Sequence, residues 1–313
     1  MRKQYIEVPL QIESSHLRKI WRRLVGAFLT PMYLIAAMAL GTPGTRIHLK
    51  CAFIAVRLFL LMRISLSNCY SLIFFPMDST RYFEFHEVLK RLKHVSFNTI
   101  LDVSSPRILP LMLLMQNKEA DLDMINPDSQ DTQISQRFAA ALGLSARCSF
   151  TNSTIEKVNY APESFDLITC ISVLEHIPTD DVAVEMMWSL IRPGGRLIIT
   201  LPCMAQPLEQ YISHYDYGVL SPESDGYTFW QRYYDDERLR NVIFNITGAP
   251  TKITVYGERK NGLFFRNTSM KRLLGAFYPF WRESYMMANE YRYFSTVAEL
   301  PGEGVVMLEF IKP

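Results

Sequence analysis

The run FDLITCI, Phe165–Ile171, constrains this chain more than any other stretch. It is too short for a buried helix and almost wholly apolar, so it predicts a strand covered on both faces. A second such run, RLIITL (Arg196–Leu201), follows a helical stretch, Asp180–Ile191, and the turn Pro193-Gly194-Gly195. The same rhythm precedes Phe165. Asn98–Val103 reads as a strand and Pro106–Met115 as a helix. Ala120–Ile125 is a second strand, closed by Asn126-Pro127-Asp128. Gln130–Leu142 is helical and stops at Gly143, a suitable C-cap, and Cys148–Thr151 is a short third strand. Strand–helix alternation of this kind predicts right-handed crossovers and a parallel sheet. Ligands then sit at the carboxyl ends of the strands, here Asp102-Val103-Ser104, Met124-Ile125-Asn126 and Ile171-Ser172-Val173.

Composition limits the rest. With 49% hydrophobic and 20% charged residues in 313, the chain builds a large core and is not disordered. A net charge of +2 gives no electrostatic case for nucleic acid. Cys51, Cys69, Cys148, Cys170 and Cys203 form no CxxC pair and fit reduced thiols in a cytosolic protein; Cys170, in an apolar run, reads as a small buried hydrophobe. The six histidines show no metal-ligand spacing, so no metal is expected.

Three pieces, in this order and spacing, carry a resemblance: ILDV (Ile100–Val103), SFDLITCISVLEHI (Ser164–Ile177) and RPGGRLIITLP (Arg192–Pro202). Together they resemble a class I S-adenosylmethionine-dependent methyltransferase of the small-molecule, type 11 group. The resemblance implies a Rossmann-like, seven-stranded α/β methyltransferase sheet over residues 81–313, with an aromatic-rich insertion at about 258–302 and a basic, apolar helical extension at 1–80. Thr251–Gly257 and Val305–Ile311 are then the last two strands, which pair antiparallel in this family.

The resemblance also implies site residues, and here the chain departs from the pattern. Asp102 matches the acidic end of the first strand, but Ser104, Ser105 and Pro106 stand where the family has a glycine-rich turn. Ser and Pro suit a helix start with free amides at the strand ends. Arg107 lies in that first turn, where the helix dipole disfavours a cation by about 0.3–1 kcal/mol. Two readings stand: a partner for the cofactor's carboxylate, or a solvated arginine. The ribose-binding acid falls on Met124, flanked by Asp123 and Asn126; alternation makes Asn126 the better substitute and Asp123 the reserve. Asn126 equally suits an Asx-turn before Pro127. Thr154 and Ile155 occupy the adenine position. Ser172 and Val173 lie beside the amino acid end of the cofactor. His176, with Glu175, is the candidate catalytic pair: a hydroxyl nucleophile needs deprotonation, and imidazole titrates near neutrality. Packing of the loop is the competing reading.

Ser221–Phe244 reads as a loop that becomes helical near Asp235. Phe229, Trp230, Arg232, Tyr233 and Tyr234 within it are candidate substrate contacts. In the amino-terminal third, Leu24–Gly41 is uncharged but contains Pro31, and Cys51–Leu66 carries Arg57 and Arg63, which are costly in a bilayer. The intracellular cofactor implied by the resemblance requires a cytoplasmic chain. Interfacial or re-entrant helices with basic flanks, giving peripheral membrane contact through residues 16–75 at the inner face, are the favoured reading; a soluble helical cap is the other. The function implied is methyl transfer from S-adenosylmethionine to an oxygen of a small molecule: a sugar, a quinone or a lipid-linked glycan. The alternative is a binding or scaffold protein on this fold that has lost cofactor affinity. A nicotinamide-dependent oxidoreductase is excluded by the missing GxGxxG turn.

Overall fold

A computed structural model describes residues 2–7, 15–213 and 220–313. The strands are β1 (Arg2–Ile6), β2 (Thr99–Val103), β3 (Asp121–Ile125), β4 (Cys148–Thr151), β5 (Phe165–Ile171), β6 (Ile191–Cys203), β7 (Leu208–Ile212), β8 (Thr228–Tyr233), β9 (Lys252–Glu258), β10 (Tyr291–Phe294) and β11 (Gly304–Ile311). The first seven helices are α1 (His16–Ala39), α2 (Thr45–Leu60), α3 (Leu66–Phe74), α4 (Arg81–Arg91), α5 (Ile108–Gln116), α6 (Ser129–Leu142) and α7 (Asp180–Leu190).

The main sheet runs β10-β9-β11-β6-β5-β2-β3-β4. From β4 to β6 every pairing is parallel; β11 is antiparallel to both β6 and β9. The sheet thus has eight strands rather than the expected seven, because the insertion contributes β10 at the edge of β9. Consecutive residues of each central strand fall on opposite faces. Ile100, Leu122, Leu167 and Ile198 join one core with α4 and α5. Leu101, Ile125, Ile168 and Leu197 join the other with α7. Two-sided burial is why β5 reads as a largely apolar run, and Cys170 lies buried within it.

A second sheet, β1-β7-β8, was not legible as such. The segment read as a loop before Asp235 contains β8, which pairs antiparallel with β7, while β1 adds in parallel on the other side of β7. The polar residues of these strands are buried by pairing with one another: Gln231 donates to Gln210 at 2.7 Å, and Gln210 to Gln4 at 2.8 Å. Adjacent polar residues, Gln231-Arg232 in β8 and Glu209-Gln210 in β7, break the alternation that would mark a strand.

α1 carries an unusual pattern. Its buried stripe is made of small or short residues, Gly26, Thr30, Leu34 and Ala37. This lets the helix lie close on the insertion: a Cβ at Gly26 would come within 2.2 Å of Phe280 Cζ. Leu24–Gly41 falls mostly inside this helix, with Pro31 in its interior. Among the described residues, no helix is long and apolar enough to cross a membrane.

Candidate active site

The turn after β2 keeps the shape that glycine would provide. Ser104 sits at φ +51°, in the left-handed region. Its amide and hydroxyl both donate to Ile125 O at the end of β3, at 2.9 and 3.0 Å. Ser105 is tied the other way: its Oγ accepts the Ile171 amide at the end of β5, at 3.1 Å. The buried Asp102 carboxylate accepts the Ser105 amide at 3.1 Å and the Thr169 hydroxyl at 2.7 Å. Burial pushes Asp102 up to about 6, against those hydrogen bonds. The two serines therefore join the ends of three strands through side-chain hydroxyls. This corrects one expectation: no serine caps the helix with Pro106 at its first position, because the hydrogen-bonded turn takes up Ser104 and Ser105, and the helix proper starts at Ile108 with Arg107 before it.

Between the ends of β2 and β3 lies a small cleft. Met124, Ile125 and Phe150 give it apolar walls; Asp102, Ser104, Asn126 and Asp131 give it polar ones. Asn126 forms the Asx-turn, its Oδ1 accepting the Asp128 amide at 2.9 Å, and its Nδ2 donates to Asp131 Oδ2 at 2.9 Å. Arg107 pairs with the other oxygen of Asp131. Asp131 was not read from the sequence. It lies in the first turn of α6, where a carboxylate suits the helix dipole, so nothing in its local pattern marked it as a site residue. Asp123 is not among the cleft-lining residues; Ser149 donates to it. Thr154 precedes a short 3-10 turn, and Ile155 is buried in the core beneath it.

A second group forms at the end of β5. Ser172 also has positive φ, +49°, and its amide donates to Thr200 O and Oγ1, both at 3.0 Å. The Ser172 hydroxyl donates to Glu84 of α4, and so does Thr200 at 2.6 Å. Arg81 holds the other Glu84 oxygen at 2.6 Å. The fully buried Glu84 thus seals the carboxyl ends of β5 and β6 from the amino-terminal side, a role the sequence did not signal. Val173 packs on the core. Glu175 is buried, and its Oε2 has no hydrogen-bond partner. Burial raises its carboxyl to about 8, opposed by its own backbone amide and the nearby Arg81, so it is predominantly neutral at pH 7.

His176 follows, half-buried, with Nε2 3.8 Å from Glu175 Oε1. Its Nδ1 lies 2.5 Å from Trp230 O. A carbonyl only accepts, so Nδ1 carries the hydrogen and Nε2 presents a lone pair. Burial lowers the imidazole to about 4, with the Trp230 carbonyl opposing.

The five candidate substrate contacts separate. Trp230 keeps a partly exposed ring, 6.3 Å from His176 and with Arg272 of the insertion 5.1 Å above it. Phe229, Arg232, Tyr233 and Tyr234 are buried. Arg232 pairs with Asp180 at 2.7 Å, and Tyr234 donates to the same carboxylate at 2.8 Å. Asp180, in the first turn of α7, gathers Arg238 as well, so this cluster fastens β8 to the domain.

Residues 102–199 match the family model described as a methyltransferase domain. The match takes in β2 to β6, the parallel half of the main sheet. The chain is 28% identical over 113 residues to the methyltransferase GfsG of Streptomyces halstedii, covering 36% of this chain and 41% of that protein. It is 23% identical over 128 residues to a ubiquinone biosynthesis O-methyltransferase of Photorhabdus laumondii, covering 41% and 52%. The chain therefore spans about half or less of the length of these curated relatives. Among solved structures, MccD protein shares the fold at TM-score 0.51 with 8% identity, over 75% of this chain and 99% of that one.

Proposed function

We propose that the chain transfers a methyl group from S-adenosylmethionine to an acidic hydroxyl of a small, apolar-tailed molecule. The observation that carries this is the conjunction at the carboxyl end of the sheet: a left-handed turn without glycine, a polar-rimmed cleft, and a neutral histidine with a free lone pair. The residues fit the nucleoside half of the cofactor. Ser104 takes the left-handed conformation that glycine would and lines the cleft, and Met124, Ile125 and Phe150 offer an apolar bed. We assign the ribose hydroxyls to Asp131 rather than Asn126, because the Asn126 amide is engaged at both ends while a carboxylate keeps spare lone pairs. Thr154 and Ile155 remain assigned to the adenine side, and Ser172 and Val173 to the amino acid side.

The cofactor supplies a methyl on a sulfonium, a leaving group that needs no acid. The protein's tasks are orientation and removal of the acceptor's proton. His176 Nε2 takes that proton. An imidazole held near 4 is neutral across the physiological range but weakly basic. It matches a phenolic or enolic hydroxyl better than a sugar alcohol, which favours the quinone-like class over the glycans. Similarity to an O-methyltransferase of ubiquinone biosynthesis supports transfer to oxygen. An apolar tail is supported by an apolar pocket between α2, α3, α5 and α6, lined by residues such as Leu58, Leu72, Met112 and Phe138. Arg107 borders it while pairing with Asp131 of the cofactor cleft.

A second reading, a binding protein that has lost cofactor affinity, is favoured by the internally satisfied serine amides and by the Arg107–Asp131 pair beside the cleft. The test is transfer of labelled methyl from S-adenosylmethionine to a panel of phenols and alkyl alcohols, each with and without a prenyl tail. Transfer to tailed phenols over alcohols is expected. Transfer to alcohols alone contradicts the base assignment, and none to any acceptor contradicts the activity.

A further inference from the structure

Outside the catalytic cleft, the amino-terminal helices expose what soluble proteins bury. On α1, Trp21 (68% exposed), Leu24, Phe28 (73%), Met32 and Ile35 (67%) recur at helical spacing on the solvent side, opposite the small-residue stripe that docks the helix. On α2, Leu49, Phe53 (73%), Val56 and Leu60 do the same, and the loop after it ends in Leu61 and Met62. Contiguous apolar exposure of this kind marks an interaction surface.

The charge on these helices identifies what covers them. From His16 to Met77 there is no aspartate or glutamate, whereas Arg18, Lys19, Arg22 and Arg23 lie on α1, and Arg46, Lys50, Arg57 and Arg63 on α2 and its loop, eight cations in all. The α1 arginines are held in place: Arg18 stacks on Phe277 at 5.3 Å, Arg22 on Phe280 at 4.9 Å and Arg23 on Tyr70 at 5.9 Å. Phe277, itself half exposed, brings the insertion to the same end of α1. A second copy of this face would oppose eight cations with eight more and no carboxylate to answer them, so self-pairing is disfavoured. Apolar side chains flanked by lysine and arginine, with a tryptophan among them, match the boundary between acyl chains and anionic headgroups.

We infer that the outward faces of α1 and α2 form a platform that lies in the surface of an anionic bilayer without crossing it. It leads through α3 into α4, whose Glu84 seals the ends of β5 and β6, so docking would bring the catalytic domain down onto the membrane. The inference stands independently of methyl transfer.

The experiment is co-sedimentation of the full chain with vesicles of phosphatidylcholine alone or with about 30 mol% phosphatidylglycerol, at about 0.1 M and about 1 M salt. Binding to the anionic vesicles, at least tenfold stronger than to neutral ones and weakened by salt, is expected. Lys19→Glu with Lys50→Glu and Arg57→Glu, all exposed, should lower the partition coefficient on the order of a hundredfold. Phe28→Ser with Ile35→Ser and Phe53→Ser should abolish binding at high salt while circular dichroism stays unchanged. Equal binding to neutral vesicles, or unchanged binding by folded charge-reversal chain, overturns the inference. So does a stable dimer that ignores vesicles and is dissociated by the Phe28, Ile35 and Phe53 substitutions.

Discussion

Ser104 shows how a turn known for glycine is made without it. A left-handed non-glycine residue costs on the order of 1–2 kcal/mol, and here two hydrogen bonds to Ile125 O offset it. Ser104→Gly should therefore leave ligand binding within about threefold, whereas Ser104→Val, β-branched at positive φ, should destabilise the fold by about 2 kcal/mol or more in denaturant melts. The carboxyl of Glu175 predicts a pH dependence. Its pKa is raised from 4.5 to about 8, so its neutral form contributes stability that is complete below 4.5 and lost as pH rises to 8. Glu175→Gln should thus have little effect on melting temperature near pH 4 and raise it progressively above the parent towards pH 8, by the equivalent of a few kcal/mol at roughly pH 8. A parent chain whose melting temperature rises over that window would refute the buried neutral carboxyl. His176→Ala should lower kcat on the order of 10²–10⁴-fold with ligand affinity nearly unchanged. Because its imidazole is lowered to about 4, the parent's rate should not show a histidine titration near 6.5.

At the scale of elements, legibility followed burial. β5 and β6 were readable because burial on both faces leaves them mostly apolar, and α6 because Gly143 takes the left-handed C-cap at φ +74°. β8 was not, because its Gln231 and Arg232 are buried by pairing with Gln210 and Asp180, long-range partners that no local window contains. Glu84 and Asp131 escaped notice for the same reason: each is an ordinary helical carboxylate until the fold carries it to the strand ends. α1 offers a test of how elements dock. Its small stripe exists for the close approach to Phe280, so Gly26→Val should cost about 1–3 kcal/mol by overpacking, whereas substitution at the outward Met32 should not be felt in stability.

At the scale of the molecule, three surfaces converge on one end of the sheet: the cofactor cleft at β2 and β3, the Glu84 and His176 group at β5 and β6, and the aromatic insertion over Trp230. The central claim is that this end binds S-adenosylmethionine although its turn has no glycine. Calorimetric titration of the full chain with S-adenosylhomocysteine, beside the Asp131→Ala variant, tests it most directly. Micromolar binding by the parent, about tenfold weaker in the variant, is the predicted result. A well-folded parent that shows no heat at millimolar ligand would contradict the account and leave Ser104, Ser105 and Asp131 as the fastenings of a fold that binds something else.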